Sequence, residues 1–353
     1  MQTLSHEDYV VSAVFSSDGR YVVTASWDNT SKIWSVETGD CLQTLSHEDY
    51  VVSAVFSSDG RYVVTASWDN TSKIWSVETG DCLQTLSHGS WVNSAVFSSD
   101  GRYVVTVSGD NTSKIWSVET GDCLQTLSHE DYVVSAVFSS DGRYVVTASW
   151  DNTSKIWSVE TGDCLQTLSH GSWVNSAIFS SDGRYVVTAS WDNTSKIWSV
   201  ETGDCVQTLS HGSLVNSAVF SSDGRYVVTA SVDNTSKIWS VETGDSLQTL
   251  SHKEDVVSAV FSSDGRYVVT ASDDKTSKIW SVETGGCVQT LSHEYYVVPA
   301  VFSPDGRYVV TASWGKPRIF PFTPLSEILD KWSEILGPNA ELTEEEKEKY
   351  FLN

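Results

Sequence analysis

His6, Thr24, Ser26, Asp28 and Trp34 are the residues of the first forty whose types could do chemistry. A histidine, a hydroxyl and a carboxylate are the parts of a nucleophilic triad, in which the imidazole takes the hydroxyl proton and the carboxylate orients the ring. The same set returns every 41 residues, and His6, His47, His88, His129, His170, His211, His252 and His293 mark the register. An active site occurs once, whereas this set occurs in seven full copies. The repetition therefore argues for buried polar groups that need partners, and no residue is assigned a catalytic role. No two histidines stand at metal-ligand spacing, so neither a metal nor a cofactor is expected.

The elements that must position these residues are short. Val10–Ser16, Tyr21–Ser26, Ser31–Val36 and Cys41–Leu45 are apolar, β-branched runs. Clusters of Ser, Asp, Gly, Asn and Thr separate them, which is the pattern of strands joined by tight turns. Each 41-residue unit reads as a four-stranded antiparallel meander that buries its faces only against neighbouring copies.

A His opening the unit, then V-x-S-A-V-F-S-S-D-G-R, then T-A-S-x-D-N-T-S-K-I-W resembles the WD-repeat β-propeller pattern, over residues 2 to about 322. The name-giving dipeptide is altered, since Ser35 follows Trp34. The CLQTL-H-GSWVNSAVFSSDG variant also resembles the near-identical repeats of NOD-like receptor sensors. The resemblance implies an all-β, eight-bladed propeller. It further implies a hydrogen-bonded chain through His6, a second-strand hydroxyl, Asp28 and Trp34. Thr24 and Ser26 share a strand face, and the sequence leaves both open as that hydroxyl.

The two ends are complementary. Gln2-Thr3-Leu4-Ser5 matches the end of a fourth strand, while the eighth unit, from His293, meets Pro321 and Pro324 where its fourth strand would begin. Proline cannot donate to a ladder, so the N-terminal strand is expected to complete the last blade and close a monomeric ring over residues 1–322. In residues 323–353 the period turns helical: Leu325, Ile328, Leu329, Trp332, Ile335 and Leu336 form one stripe, and Thr343 opens a second short helix.

The chain has 46 acidic and 22 basic residues, a formal charge of −24. Such a surface repels phosphate backbones, so nucleic acid is not an expected partner. Cys41, Cys82, Cys123, Cys164, Cys205 and Cys287 all open fourth strands, one per unit. They read as free, small apolar residues of a reducing compartment. With no apolar run of membrane length and no leader at Met1, the expected setting is cytoplasmic, away from the membrane.

Function is sought where the copies differ. Three residues after each His come Tyr9, Tyr50, Trp91, Tyr132, Trp173, Leu214, Asp255 and Tyr296. Five after come Val11, Val52, Asn93, Val134, Asn175, Asn216, Val257 and Val298. Twenty-one after come Trp27, Trp68, Gly109, Trp150, Trp191, Val232, Asp273 and Trp314. Successive turns of a meander alternate between strand ends, so these positions should meet on one rim. The resemblance makes that rim a partner-contact face, and Tyr and Trp are suited to contact. The expected function is non-catalytic protein–protein recognition, extended by the receptor-like repeats to non-self sensing. Sugar binding on the Trp platforms is the alternative. The solvent-facing Trp rings should flank a notch at Gly109.

Overall fold

In the computed structural model, which describes residues 2–314 and 316–323, eight antiparallel sheets of four strands each make up the chain. Blade 1 runs in the order Val10–Phe15, Tyr21–Ser26, Thr30–Ser35, Cys41–Ser46, and blades 2 to 7 repeat it. The first strands of neighbouring blades touch all the way round, Val297–Phe302 of blade 8 meeting Val10–Phe15 of blade 1. They therefore ring the axis, and the fourth strands lie outermost.

Blade 8 holds Val297–Phe302, Tyr308–Ser313 and Arg318–Pro321, and its fourth strand is the N-terminal Gln2–Thr3. Gln2 pairs with Ile319 and Thr3 with Arg318, and the Leu4 N–H donates to Pro317 O at 2.8 Å. Leu4 is fully buried, as Leu45 is in blade 1. Complete burial of such a side chain contributes about 2 kcal/mol. The ring is closed by the two chain ends, in one shared blade.

The core lies between blades. Val23, Ala25, Ile33 and Leu45 of blade 1 pack on Val51, Ala54, Phe56, Val63 and Trp75 of blade 2. Leu4, Val310, Ala312 and Ile319 of blade 8 pack on Val10, Ala13, Phe15, Val22 and Trp34 of blade 1 in the same way. A register shift between Val10 and Ser12 recurs in each first strand. It is a bulge, which breaks alternation and re-aims side chains.

The turns explain their residues. In Ser16–Arg20 the Ser16 hydroxyl donates to Asp18 at 2.6 Å and the Gly19 N–H to Ser16 O at 2.9 Å, with Gly19 at φ 70°. Glycine adopts that conformation without a Cβ clash. Asn29 takes φ 67° in the other turn, as Asn tolerates. The cysteines are free but exposed on the outer strands, so the expectation of small apolar packing residues is corrected: the outer strand has no neighbour on that side. No helix among the described residues is long and apolar enough to cross a membrane. Contacts divide the chain into Met1–Phe320 and Pro321–Asn353. The helices expected over 325–352 lie outside the described residues.

Candidate functional site

In every blade from 1 to 7 the His, Thr, Asp and Trp side chains come together. In blade 1, His6 Nδ1 lies 2.7 Å from Asp28 Oδ2 and Nε2 lies 2.7 Å from Thr24 Oγ1. The Trp34 indole N–H donates to Thr24 Oγ1 at 2.8 Å. The links run in series: the Trp34 N–H donates to Thr24, Thr24 meets Nε2, and Nδ1 meets the Asp28 carboxylate. The hydroxyl left open by sequence is Thr24. Ser26 instead accepts the Asp28 N–H at 3.1 Å and donates to Asp8 O at 3.3 Å. Sequence reasoning missed Thr30, whose hydroxyl donates to Asp28 Oδ1 at 2.6 Å. Its recurrence two residues after each turn Asp from blade 1 to blade 7 was the available signal.

The electrostatics fit neutral imidazole beside carboxylate. Burial pushes His47, His88, His170, His211 and His252 below the usual imidazole value, against the pull of their aspartates. Burial also works to raise the aspartates. Bonds from threonine, backbone N–H and histidine outweigh it and hold Asp110, Asp192, Asp233 and Asp274 at about 2. Blade 8 dismantles the chain, because Phe320 replaces the Trp and Gly315 the Asp. Among the described residues His293 Nε2 is buried without a hydrogen-bond partner, and burial and Arg318 push this histidine down to about 4. The threonine hydroxyls that join His to Trp, such as Thr24, Thr65 and Thr188, are fully buried. Among the described residues no group of three or more His, Cys, Asp or Glu could hold a metal ion.

The varied positions meet on one rim. Trp27 N–H donates to Tyr9 O at 2.9 Å, and the same bond joins Trp68 to Tyr50, Gly109 to Trp91, Trp150 to Tyr132, Trp191 to Trp173, Val232 to Leu214 and Asp273 to Asp255. The rings then stack from blade to blade. Trp314 lies on Tyr9 at 5.0 Å and 7°, Tyr9 beside Trp27 at 5.2 Å, Trp27 on Tyr50 at 5.4 Å, and Tyr50 beside Trp68 at 5.5 Å. Tyr296 stacks on Tyr9 at 5.8 Å, and a hydrogen bond donated by its hydroxyl to Tyr9, together with burial, pushes its phenol up to about 12. Tyr295, which the sequence reading passed over, meets Trp314 at 4.5 Å.

A second ladder crosses blades 3 to 5. Trp91 meets Tyr132 at 5.5 Å, Tyr132 meets Trp150 at 5.6 Å, Trp150 stacks on Trp173 at 4.5 Å, and Trp173 meets Trp191 at 4.9 Å. Two expectations change here. Gly109 leaves no notch, because the Trp91 indole lies where a Cβ at Gly109 would be. The rim Trp rings are also not uniformly solvent-facing. Trp68 and Trp314 are exposed, whereas Trp27, Trp150 and Trp191 are half-buried with their indole N–H covered and unpaired.

The positions five after His sit deeper, at the bulge. Val11, Val52 and Val134 pack against the core of the next blade. Asn216 donates to Val256 O of the next blade at 3.0 Å, while Asn93 and Asn175 are half-buried. Blades 6 and 7 present Leu214 and Val232, then Asp255 and Asp273, in place of aromatics. Burial and then the neighbouring Asp255, Glu254 and Asp274 raise the Asp273 carboxyl.

The opposite face is built from repeated framework bonds. Ser17 donates to Ser58 O of the next blade at 2.9 Å, and the Gln43 amide to Glu78 O at 3.2 Å. Gln2 makes the equivalent bond to Glu37 O at 3.0 Å, so the closing strand is tied to blade 1 as well.

A comparison with curated proteins found no match. Among solved structures, the chain is similar to the crystal structure of the computationally designed Ika8 protein. The two share 29% identity at a TM-score of 0.82, over 91% of this chain and 98% of that one. With 1889 chains of solved structure matching, likeness of fold selects no partner. The WD40 family, described as WD domain, G-beta repeat, matches residues 1–35, 39–76, 80–117, 121–158, 162–199, 203–240, 244–281 and 285–320. Each match joins the outer strand of one blade to three inner strands of the next, which is why residues 1–35 form a full repeat although Gln2–Thr3 belongs to blade 8. Eight such repeats, each but the last with its His–Thr–Asp–Trp chain, place this protein in the WD40 family.

Proposed function

We propose that this propeller is a non-catalytic recognition module that binds a protein partner through the face carrying Tyr9, Trp27, Tyr50, Trp68, Trp91, Tyr132, Trp150, Trp173, Trp191, Tyr296 and Trp314. The observation that carries this is the confinement of variation. Framework bonds recur almost unchanged in blades 1 to 7, while the residues that differ gather on one rim in exposed and half-buried aromatic ladders. WD40 propellers generally bind proteins, and large rigid aromatics concentrate binding energy. The finer proposal is sensing of a non-self molecule, supported by a constant framework bearing a variable contact surface. The ring acts as a monomer in the cytoplasm.

The experiment is capture on immobilised propeller, with and without free sugars, followed by hydrogen exchange of the purified complex. Protection at residues 7–9, 27, 48–50 and 68, insensitive to sugar, supports the reading. Protection confined to Asp18–Arg20 and its repeats overturns it, and displacement by free sugar makes the face a glycan site instead.

A further inference from the structure

The two ladders differ in charge, and that difference carries an inference about the partner. In blades 1 and 2 each ladder tyrosine follows two carboxylates, in Glu7-Asp8-Tyr9 and Glu48-Asp49-Tyr50. Glu7, Glu48 and Asp49 are exposed and Asp8 is half-buried. Asp8 Oδ1 accepts the Tyr9 N–H at 2.7 Å, and Asp49 Oδ1 the Tyr50 N–H at 2.8 Å. Among the described residues none of these four carboxylates is in an ion pair with a lysine or arginine; at the equivalent place in blade 8, Glu294 pairs with Lys316 at 3.7 Å.

The lysines of blades 1 and 2 are committed elsewhere. Lys32 Nζ donates to Ser5 O at 3.1 Å and stands over the Trp34 ring; Lys73 Nζ donates to Ser46 O at 3.3 Å and stands over Trp75. The second ladder differs. Blades 3 and 5 carry Gly89-Ser90-Trp91 and Gly171-Ser172-Trp173, so only Glu130 and Asp131 flank it. Four such carboxylates flank the first ladder and two the second.

We propose that the sector of blades 8, 1 and 2 takes an arginine-bearing, cationic segment of the protein partner, an inference that rests on the varied face being the recognition surface. Ring faces are negative, and uncompensated carboxylates beside them add to that field. The rings from Trp314 to Trp68 lie 5.0–5.5 Å apart, too close to admit a group between them. A ligand must therefore lie on the exposed rings, Trp314 and Trp68 at the two ends and Tyr296 beside them. A planar guanidinium can stack on such a ring while its N–H fork donates to a neighbouring carboxylate. A lysine ammonium has no fork and stacks less well.

The test uses the full chain and a fluorescein-labelled peptide of alternating Gly and Arg, with Lys and Glu counterparts, read by anisotropy at physiological salt. The neutralising variant is Glu7→Gln, Asp8→Asn, Glu48→Gln, Asp49→Asn, which keeps the local acceptors. Its control removes equal charge from the opposite face through Glu37→Gln, Asp40→Asn, Glu78→Gln and Asp81→Asn. The Arg peptide should bind several-fold tighter than the Lys peptide, and the Glu peptide not at all. Rim neutralisation should weaken Arg-peptide binding about ten-fold or more and the control less than about two-fold, while Trp68→Leu abolishes the preference for Arg. Equal affinity for Arg and Lys peptides, or equal loss in both neutralised variants, overturns the proposal. No Arg-peptide binding, with partner binding that still requires Trp27 and Trp68, overturns the arginine assignment alone; partner binding indifferent to both Trp residues overturns the reading of the face as well.

Discussion

Replacing Thr188 by valine in blade 5 keeps the shape of a fully buried side chain and deletes one hydroxyl. That hydroxyl is 2.7 Å from His170 Nε2 and accepts the Trp198 indole N–H at 2.8 Å. Both groups would then be buried without partners. Each such loss costs about 1–3 kcal/mol, and because they share a network the sum should be about 2–5 kcal/mol. Ser190→Ala is the matched control. Its hydroxyl is also buried, but it accepts the Asp192 backbone N–H at 3.1 Å and donates to Ser172 O at 3.1 Å, with no imidazole or indole depending on it, so its loss should cost about 1 kcal/mol. An unfolding entropy near 2.1 cal/mol/K per residue over roughly 320 residues converts 3 kcal/mol into about 4–5 °C of Tm. Urea unfolding and calorimetry would read both variants, and hydrogen exchange at the Trp198 indole would report the local opening. A Thr188→Val cost below about 0.5 kcal/mol, or a larger cost for Ser190→Ala, would refute the assignment of the chain.

Three further outcomes follow from the same geometry. Deleting residues 1–5 removes Leu4 from its core and exposes the edge of Arg318–Pro321; the Tm should fall or oligomers should form, and an unchanged, monomeric ring would exclude closure by strand exchange. Asp151→Ala should cost about 1–3 kcal/mol by stranding His129 and Thr153, whereas Trp150→Ala, half-buried on Trp173, should cost less. Equal costs in chemical denaturation would make Trp150 mainly a packing residue. His293, held at about 4 when folded against an ordinary 6.5, contributes stability that is full above pH 6.5 and is lost as pH falls through 4. His293→Leu should flatten the stability profile over that window by about 2 kcal/mol after screening, and identical profiles would contradict the burial of that ring.

Much of this was legible in the sequence because repetition turns one unit into eight consistent readings. The complementary ends at Gln2–Leu4 and Pro321 gave closure, and period-two runs gave the strands. What escaped depends on distances across the sheet or between blades. Thr24 and Ser26 share a face, yet only Thr24 stands opposite Lys32, within reach of Trp34, while Ser26 sits beside the turn. The bulge at Val11 and Ser12 breaks alternation without an unusual residue to announce it, so the packing of half-buried Val11 against the next blade is not legible in the sequence. The stacking of Trp27 on Tyr50 is set by the angle between blades, which no local pattern encodes. The cysteines look apolar by type, but an outermost strand exposes them.

The central claim is that the varied face binds the partner, and paired variants test it most directly. The measurement is the Kd of the purified partner for wild type, for Trp27→Ala with Trp68→Ala, and for Val232→Ala with Asp273→Ala, each confirmed folded by Tm. Central aromatics typically cost about 2 kcal/mol or more on truncation, so the Trp pair should abolish measurable binding, whereas the blade 6 and 7 pair should change it less than about three-fold. Undiminished affinity in the folded Trp pair would contradict the account and move the binding surface to the face of Asp18 and Arg20 or to residues 323–353.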